Sequence, residues 1–291
     1  MEQGREEYQI TDNIKIILND CLTEMRTFPD QFADVYVFSP PYNIGLKYNG
    51  YSDNLAVDEY LNWIAEIGTE IRRTLKDSGS LFINMGSTNV YPSIAMDVCM
   101  VLRKQFVLQN NIVWVKSQVI DGATRGHFKP INSSRFLNHN HESVFHFTKD
   151  GYVSIDRLSI GVPYTHKSNI DRWKHGGEKK DMVCGGDVWF IPYKTVQSKA
   201  EKFYHPATFP ELLVEKCLRL HGELTSETLV IDPFVGIGTT LKVCQDLGLK
   251  GIGIEIDKVY YEGTRQRLEK VECPLLPNIL SMESAYTPIE S

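Results

Sequence analysis

Ile231-Asp232-Pro233-Phe234-Val235-Gly236-Ile237-Gly238-Thr239-Thr240 is the stretch on which the fold turns. The apolar run Leu229–Ile231 ends at an acid, two glycines follow, and a helical pattern opens at the threonine pair and runs to Leu247. Glycines at such a strand-to-helix turn let backbone N–H groups approach a ligand, at the carboxyl edge of a sheet where nucleotide-like molecules bind. A second buried-type run, Gly251–Ile256, follows and carries Glu255, placed to accept hydrogen bonds from ribose hydroxyls. The dinucleotide fingerprint wants a third glycine at position 241, where this chain has Leu241, and no G-K-[ST] phosphate loop is present. The implied ligand is a nucleoside without a pyrophosphate, which favours S-adenosyl-L-methionine over NAD.

Outward from this unit the same alternation continues. Ile14–Leu18, Val35–Phe38, Leu81–Met85, Ile112–Val115 and Val144–Phe147 are strand-sized apolar runs. Val57–Leu75 repeats Tyr60, Leu61, Ile64, Ile67, Ile71 and Leu75 at helical spacing; Ile94–Leu102 and Glu211–Leu220 also read as helices, and Gly79 reads as a break before the third strand. Strand-helix alternation with continuous apolar strands predicts an α/β fold built on a mostly parallel, doubly wound sheet. Ser117–Asn140 and Tyr152–Gly186 lack a period and are too long for ordinary connections, so they read as functional insertions. Three Pro after Cys273 suggest a loose tail.

Composition narrows the class. The 291 residues are 42% hydrophobic and 23% charged, within the globular range. No apolar run could span a bilayer as a helix, and the acidic opening Glu2–Glu7 is the opposite of a secretory leader, so a cytoplasmic protein with no membrane partner is expected. Six scattered cysteines without C-x-x-C imply free thiols. Net charge is −6, yet residues 116–181 hold 11 Lys and Arg against 7 Asp and Glu, and six of the eight His. A basic insert on an acidic body suggests a local anionic partner, against the blander reading of a solvated loop region.

Ser39-Pro40-Pro41-Tyr42 stands directly after a predicted strand. Two prolines fix φ and remove two donors, which leaves a rigid carbonyl beside a hydroxyl. Both can accept the hydrogens of an NH2 group, and the neighbouring tyrosine can stack on a planar ring.

Together S-P-P-Y and D-P-F-x-G-x-G-T-T resemble motifs of the DNA amino-methyltransferases, which methylate the exocyclic amine of adenine or cytosine. Their order here, with the basic insert between, resembles the β group, a circular permutation of the Rossmann-like methyltransferase sheet. Asn19-Asp20-Cys21 resembles the segment whose acid holds the cofactor adenine. Gly79–Gly86, Ile112–Lys116 and His141–Phe145 resemble further family segments, and His205–Glu211 resembles the one that covers the cofactor's methionine part. The resemblance covers roughly Ile14 to Leu268.

It implies S-adenosyl-L-methionine as cofactor, with Asp20, Asp232, Phe234, Gly236, Gly238, Thr239, Thr240 and Glu255 around it and Pro206, Ala207 and Thr208 over it. Ser39, Pro40, Pro41 and Tyr42 would be catalytic. The substrate amine is conjugated and buried in the duplex, so the base must be flipped out. Ser39 and the Phe209-Pro210 pair resemble the cytosine-N4 enzymes; adenine N6 is the alternative, and no Pro-Cys pair serves a C5-methylating route. The implied domains are a catalytic half over 9–116, a target-recognition insert over 117–186, a cofactor-binding half over 187–272 and a tail over 273–291.

Within the insert Arg125, Lys129, Arg135, His139, His141, Arg172 and Lys174 are candidate contacts to double-stranded DNA. His139-Asn140-His141 invites a metal reading, but no further ligand cluster follows, so no metal is expected. His141-Glu142 reads as a fixed pair near the DNA ahead of a proton acceptor, and Trp189 as core. A nucleoid-associated restriction-modification enzyme with a separate cognate endonuclease, and with a homodimer as one oligomeric option, is the implied setting. The competing classes are a nicotinamide dehydrogenase, an RNA or protein methyltransferase, and a catalytically dead DNA-binding module.

Overall fold

The computed structural model describes residues 4–43, 45, 53–126, 133–172, 181–192 and 209–269. Its strands are β1 (Glu6–Thr11), β2 (Ile14–Leu18), β3 (Ala33–Phe38), β4 (Leu75–Met85), β5 (Val107–Val115), β6 (Ser117–Ile120), β7 (Ala123–Gly126), β8 (His141–Thr148), β9 (Val188–Phe190), β10 (Leu229–Asp232) and β11 (Lys250–Glu255). Its helices are α1 (Cys21–Met25), α2 (Val57–Thr74), α3 (Ile94–Leu102), α4 (Glu211–His221), α5 (Thr239–Asp246) and α6 (Lys258–Glu269). Nine strands form one sheet in the order β1-β2-β11-β10-β3-β4-β8-β5-β9, and β6 and β7 form a separate hairpin.

The central strands β2, β11, β10, β3 and β4 are all parallel. Only β1 and β8 oppose their neighbours, so the sheet is mixed at its flanks and parallel at its centre. The sheet separates two apolar layers. Tyr36, Phe38, Leu81 and Ile83 pack with α1, α2 and α3, through Met25, Ile64, Ile71 and Val98. Val35, Val37 and Phe82 pack on the other side with α4, α5 and α6, through Val214, Leu218, Leu241 and Leu268. Burying each such side chain contributes about 1.5–3 kcal/mol, which the two-sided strand pattern secures on both faces.

Several elements depart from the sequence reading. β1 begins at Glu6, inside the acidic opening and ahead of the expected boundary at residue 9; its weak alternation suffices because it only pairs as a hairpin along β2. Gly79 does not break the chain. It lies within β4, where an added Cβ would sit 2.8 Å from the Asp34 carbonyl oxygen, so glycine lets β4 approach β3 across a register shift. Leu75 accordingly opens β4 rather than closing α2. The insertion after Ser117 contains the β6–β7 hairpin, and α1 and α6 had no expectation attached. His146, counted with the basic insert, is fully buried: it stacks on Phe82 at 4.4 Å and meets Ser80 and Asn110. It belongs to the core because β8 threads between β4 and β5. Trp189 is core, as expected. The tail over 273–291 lies outside the described residues.

Candidate active site

The chain leaves β3 through α2 to β4 on one side and leaves β10 through α5 to β11 on the other, although β3 and β10 are adjacent parallel strands. Adjacent strands whose connections depart in opposite directions open a crevice at their carboxyl ends, where open α/β sheets bind ligands. Val35 pairs with Val230 and Tyr36 with Ile231, so the loop that begins at Ser39 and the loop that follows Asp232 open together into that crevice. Phe234 reaches across it, with ring centroids 5.5 Å from both Phe38 and Trp63.

On the β10 side, Asp232 is buried and holds the turn together. It accepts from the Phe234 amide at 2.9 Å and from the Thr240 hydroxyl at 2.6 Å. Burial pushes its carboxyl up to about 7. Gly236 and Gly238 have φ of 53° and 82°, the left-handed region that glycine enters at low cost. A Cβ on Gly238 would lie 2.6 Å from the Thr264 methyl, and Thr264 donates to the Gly236 carbonyl at 2.8 Å. Glu255 accepts from the Gly236 and Asp257 amides at 2.9 and 2.8 Å, and burial pushes it up to about 8. Two strands along, Asp20 caps α1 by accepting from the Thr23 amide at 2.8 Å. Asp20, Glu255 and Asp232 therefore stand at the carboxyl ends of the neighbouring strands β2, β11 and β10. Thr239 and Thr240 are buried in the first turn of α5. Each acid spends part of its hydrogen-bonding capacity on the backbone that shapes the crevice, a structural use the motif alone did not reveal.

On the β3 side the Ser39 hydroxyl lies 2.7 Å from the Tyr42 hydroxyl and 3.2 Å from the Asn84 carbonyl oxygen. The Pro41 carbonyl accepts from the Tyr60 hydroxyl at 2.8 Å, which ties the proline turn to α2. Asn43, at φ 59°, binds Leu55 through both ends of its amide and takes an Asp53 carboxylate oxygen on its own N–H at 2.7 Å. These bonds close the loop behind Tyr42.

Three further side chains complete this half. The Asn84 amide nitrogen donates to the Tyr42 hydroxyl at 2.8 Å and to Glu142 Oε2 at 2.7 Å. Tyr42 Oη lies 3.1 Å from the same Glu142 oxygen, and Lys116 Nζ holds Glu142 Oε1 at 2.7 Å. Among the described residues the buried Asn84 Oδ1 has no hydrogen-bond partner. Glu142 can reach the site because β8 runs against β4, which brings the start of β8 to the edge where β4 ends. Asn84 and Lys116 were visible only as members of family-like segments; their roles depend on pairings across strands that no local pattern encodes.

The candidate DNA contacts are dispersed. Arg125 is exposed on the β6–β7 hairpin, Arg135 lies over the Phe136 ring at 4.9 Å, and Arg172 is exposed. His139 lies 2.6 Å from the Asn89 side chain, and burial together with Lys116 holds its imidazole below the usual value. His141 is exposed beside the site while Glu142 turns into it, so the two do not act as a pair. Lys129, Lys174, Pro206, Ala207 and Thr208 lie outside the described residues. Among the described residues no three His, Cys, Asp or Glu gather to hold a metal, and no helix is long and apolar enough to cross a membrane.

The family model described as DNA methylase, which unites N6 and N4 enzymes, matches residues 33–266. The chain belongs to this family. It is thus a DNA methyltransferase that draws its methyl group from S-adenosyl-L-methionine, with double-stranded DNA as substrate. Type II methyltransferase M.BglII of Bacillus subtilis is 29% identical over 92% of this chain and 73% of its own. The DNA adenine methyltransferase YhdJ of Escherichia coli is 28% identical over 92% of this chain and 87% of its own. Among solved structures, PvuII DNA methyltransferase (cytosine-N4-specific) superposes with a TM-score of 0.67 at 19% identity, over 90% of this chain and 88% of that one. TTHA0409 of Thermus thermophilus, complexed with S-adenosyl-L-methionine, superposes at 0.56 and 20% identity, over 89% and 93%.

The crevice fits that cofactor. The tight turn through Gly236 and Gly238, both at positive φ, presents backbone at the end of β10 ahead of α5. Three acids line neighbouring strand ends, and among the described residues no basic phosphate clamp stands with them.

Proposed function

We propose that this methyltransferase modifies the exocyclic N4 amine of a cytosine flipped out of duplex DNA. The observation that carries the reading is the Ser39 hydroxyl at the first position of the proline turn, hydrogen-bonded into a Tyr42–Asn84 network where an acid would introduce a charge. The similarity to the cytosine-N4-specific PvuII enzyme supports it; the similarity to an adenine methyltransferase supports the alternative base, N6 of adenine. Both bases present an amine beside a ring nitrogen, and Tyr42 would stack on either, contributing about 1–3 kcal/mol.

The roles follow from placement. Ser39 Oγ and the Pro40 carbonyl would accept the two amine hydrogens and aim the nitrogen lone pair toward the β10 crevice. Asn84 holds the Tyr42 hydroxyl and Glu142 in place through its amide nitrogen. Asp20 and Glu255 would hold adenine and ribose, with Phe234 and the Gly236–Thr240 turn beneath them. The bound cofactor supplies an activated methyl group, so the protein's work is positioning and electrostatics. The 117–186 insert would read the target sequence, and the 187–272 half would carry the cofactor. Relatives named as type II methyltransferases support a restriction-modification setting in which an endonuclease acts separately.

The test is nucleoside analysis of DNA incubated with the protein and labelled cofactor. Label in N4-methylcytosine is expected. Label in N6-methyladenine would replace the base assignment, and label in neither would remove the proposed activity.

A further inference from the structure

Methylation of an exocyclic amine leaves the nitrogen with one hydrogen too many, and no residue of the proline turn can keep it. We propose that Glu142 receives this proton, passed to it through the hydroxyls of Ser39 and Tyr42. The inference rests on the amine-methylating reading of the site and holds for cytosine or adenine alike.

The path is continuous. Ser39 Oγ and Tyr42 Oη are 2.7 Å apart, and Tyr42 Oη is 3.1 Å from Glu142 Oε2. As nitrogen gains the methyl group, its N–H bond breaks and the proton joins Ser39 Oγ. The Ser39 proton moves to Tyr42 Oη, and the Tyr42 proton moves to Glu142 Oε2. Both hydroxyls end neutral, the carboxylate becomes a carboxylic acid, and the acid returns its proton to solvent after product leaves. No charged hydroxyl persists at any point, which a low-dielectric crevice would penalise heavily.

Every group around Glu142 suits this use. Asn84, from β4, stands between the two oxygens it bridges and is an amide, so it orients the relay without accepting a proton. Lys116, just after β5, fixes Oε1 and leaves Oε2 facing Tyr42. Gly86 makes room: a Cβ there would come within 2.8 Å of the Tyr42 ring and 3.1 Å of Glu142 Oε1. His139 and His141 precede Glu142 on its own segment and do not lie on the path.

Glu142→Gln keeps the side chain's length and removes the proton acceptor. Its single-turnover rate should fall about a hundredfold, in the range of general-base removal. DNA and cofactor dissociation constants should stay within about threefold, and the fluorescence of a base analogue at the target position should still report extrusion. Wild-type rate should decline in acid; that decline should vanish in Glu142→Gln and survive His139→Gln and His141→Gln. Glu142→Asp should recover part of the rate. Tyr42→Phe, which keeps the ring, should lose as much as Glu142→Gln, and the double variant no more than either. A wild-type rate in Tyr42→Phe, an unchanged acid limb in Glu142→Gln, or a loss residing wholly in DNA affinity would each overturn the relay. Wild-type protein that labels neither base would instead overturn the reading on which the relay rests.

Discussion

The Phe38 and Phe234 rings meet across the crevice at 5.5 Å, joining the loop that begins with Ser39 to the loop that begins with Asp232. The two loops share a wall yet have separate tasks. Ser39→Ala should reduce turnover while cofactor affinity stays within about twofold, because the hydroxyl lies in the β3 half. Asp232→Ala leaves the Phe234 amide and Thr240 hydroxyl unpaired, which costs about 1–3 kcal/mol, and cofactor affinity should drop with the turn. Calorimetric titration of both variants decides; equal cofactor binding would contradict the division.

Gly238 should tolerate no side chain. Its φ is 82°, and a Cβ would stand 2.6 Å from the Thr264 methyl. Gly238→Ala adds backbone strain of about 1–3 kcal/mol and pushes the start of α5 from α6. Cofactor affinity and the thermal midpoint should fall together. Thr264→Ser, which trims the methyl in the Ala background, should recover part of the loss; a variant that binds cofactor normally would show the turn to be more compliant.

Stability should respond to pH through His146. Burial holds its imidazole near neutral form down to about 3. The unfolded chain takes up that proton below about 6.5, so stability present above that value is lost as pH falls, at up to about 1.4 kcal/mol per pH unit. His221 is shifted the same way. Asp232 and Glu255, raised by burial, act in opposition, favouring the fold in acid and losing that contribution as pH rises through about 7 and about 8. Urea midpoints of wild type and His146→Gln between pH 8 and 5 separate the effects. The variant should decline less steeply in acid, and parallel curves would exclude His146 as a source.

Arg125 and Arg135 stand exposed on the hairpin and on the segment leading to β8. If each meets a phosphate, replacement by Ala should weaken binding to all sequences alike and lower the slope of log affinity against log salt by about 1. A change confined to one DNA sequence would mark base reading instead.

The central sheet was legible because each of its strands is a continuous apolar run with a turn residue at its end. The two loops were legible because Gly236, Gly238, Pro40 and Pro41 are needed for backbone reasons that any sequence displays. Other features were hidden for equally physical reasons. Nothing local announces that β8 runs antiparallel, so neither the burial of His146 nor the arrival of Glu142 at Tyr42 could be read. Gly79 carried the ordinary meaning of a breaker, while its use is a close approach to Asp34 that depends on β3. The β1 strand alternates weakly because a hairpin edge asks little of it.

The Leu229 amide donates to the Asp34 carboxylate across 195 positions of chain. β10 and β11, which follow β3 by almost two hundred residues, lie between β2 and β3 in the sheet. A nascent chain therefore carries two exposed strand borders, on β2 and β3, until β10 and β11 leave the ribosome, and it has no competent reaction centre before then. Methylation must lag behind translation, and premature stops upstream of β10 should yield inert, aggregation-prone fragments rather than partial enzymes.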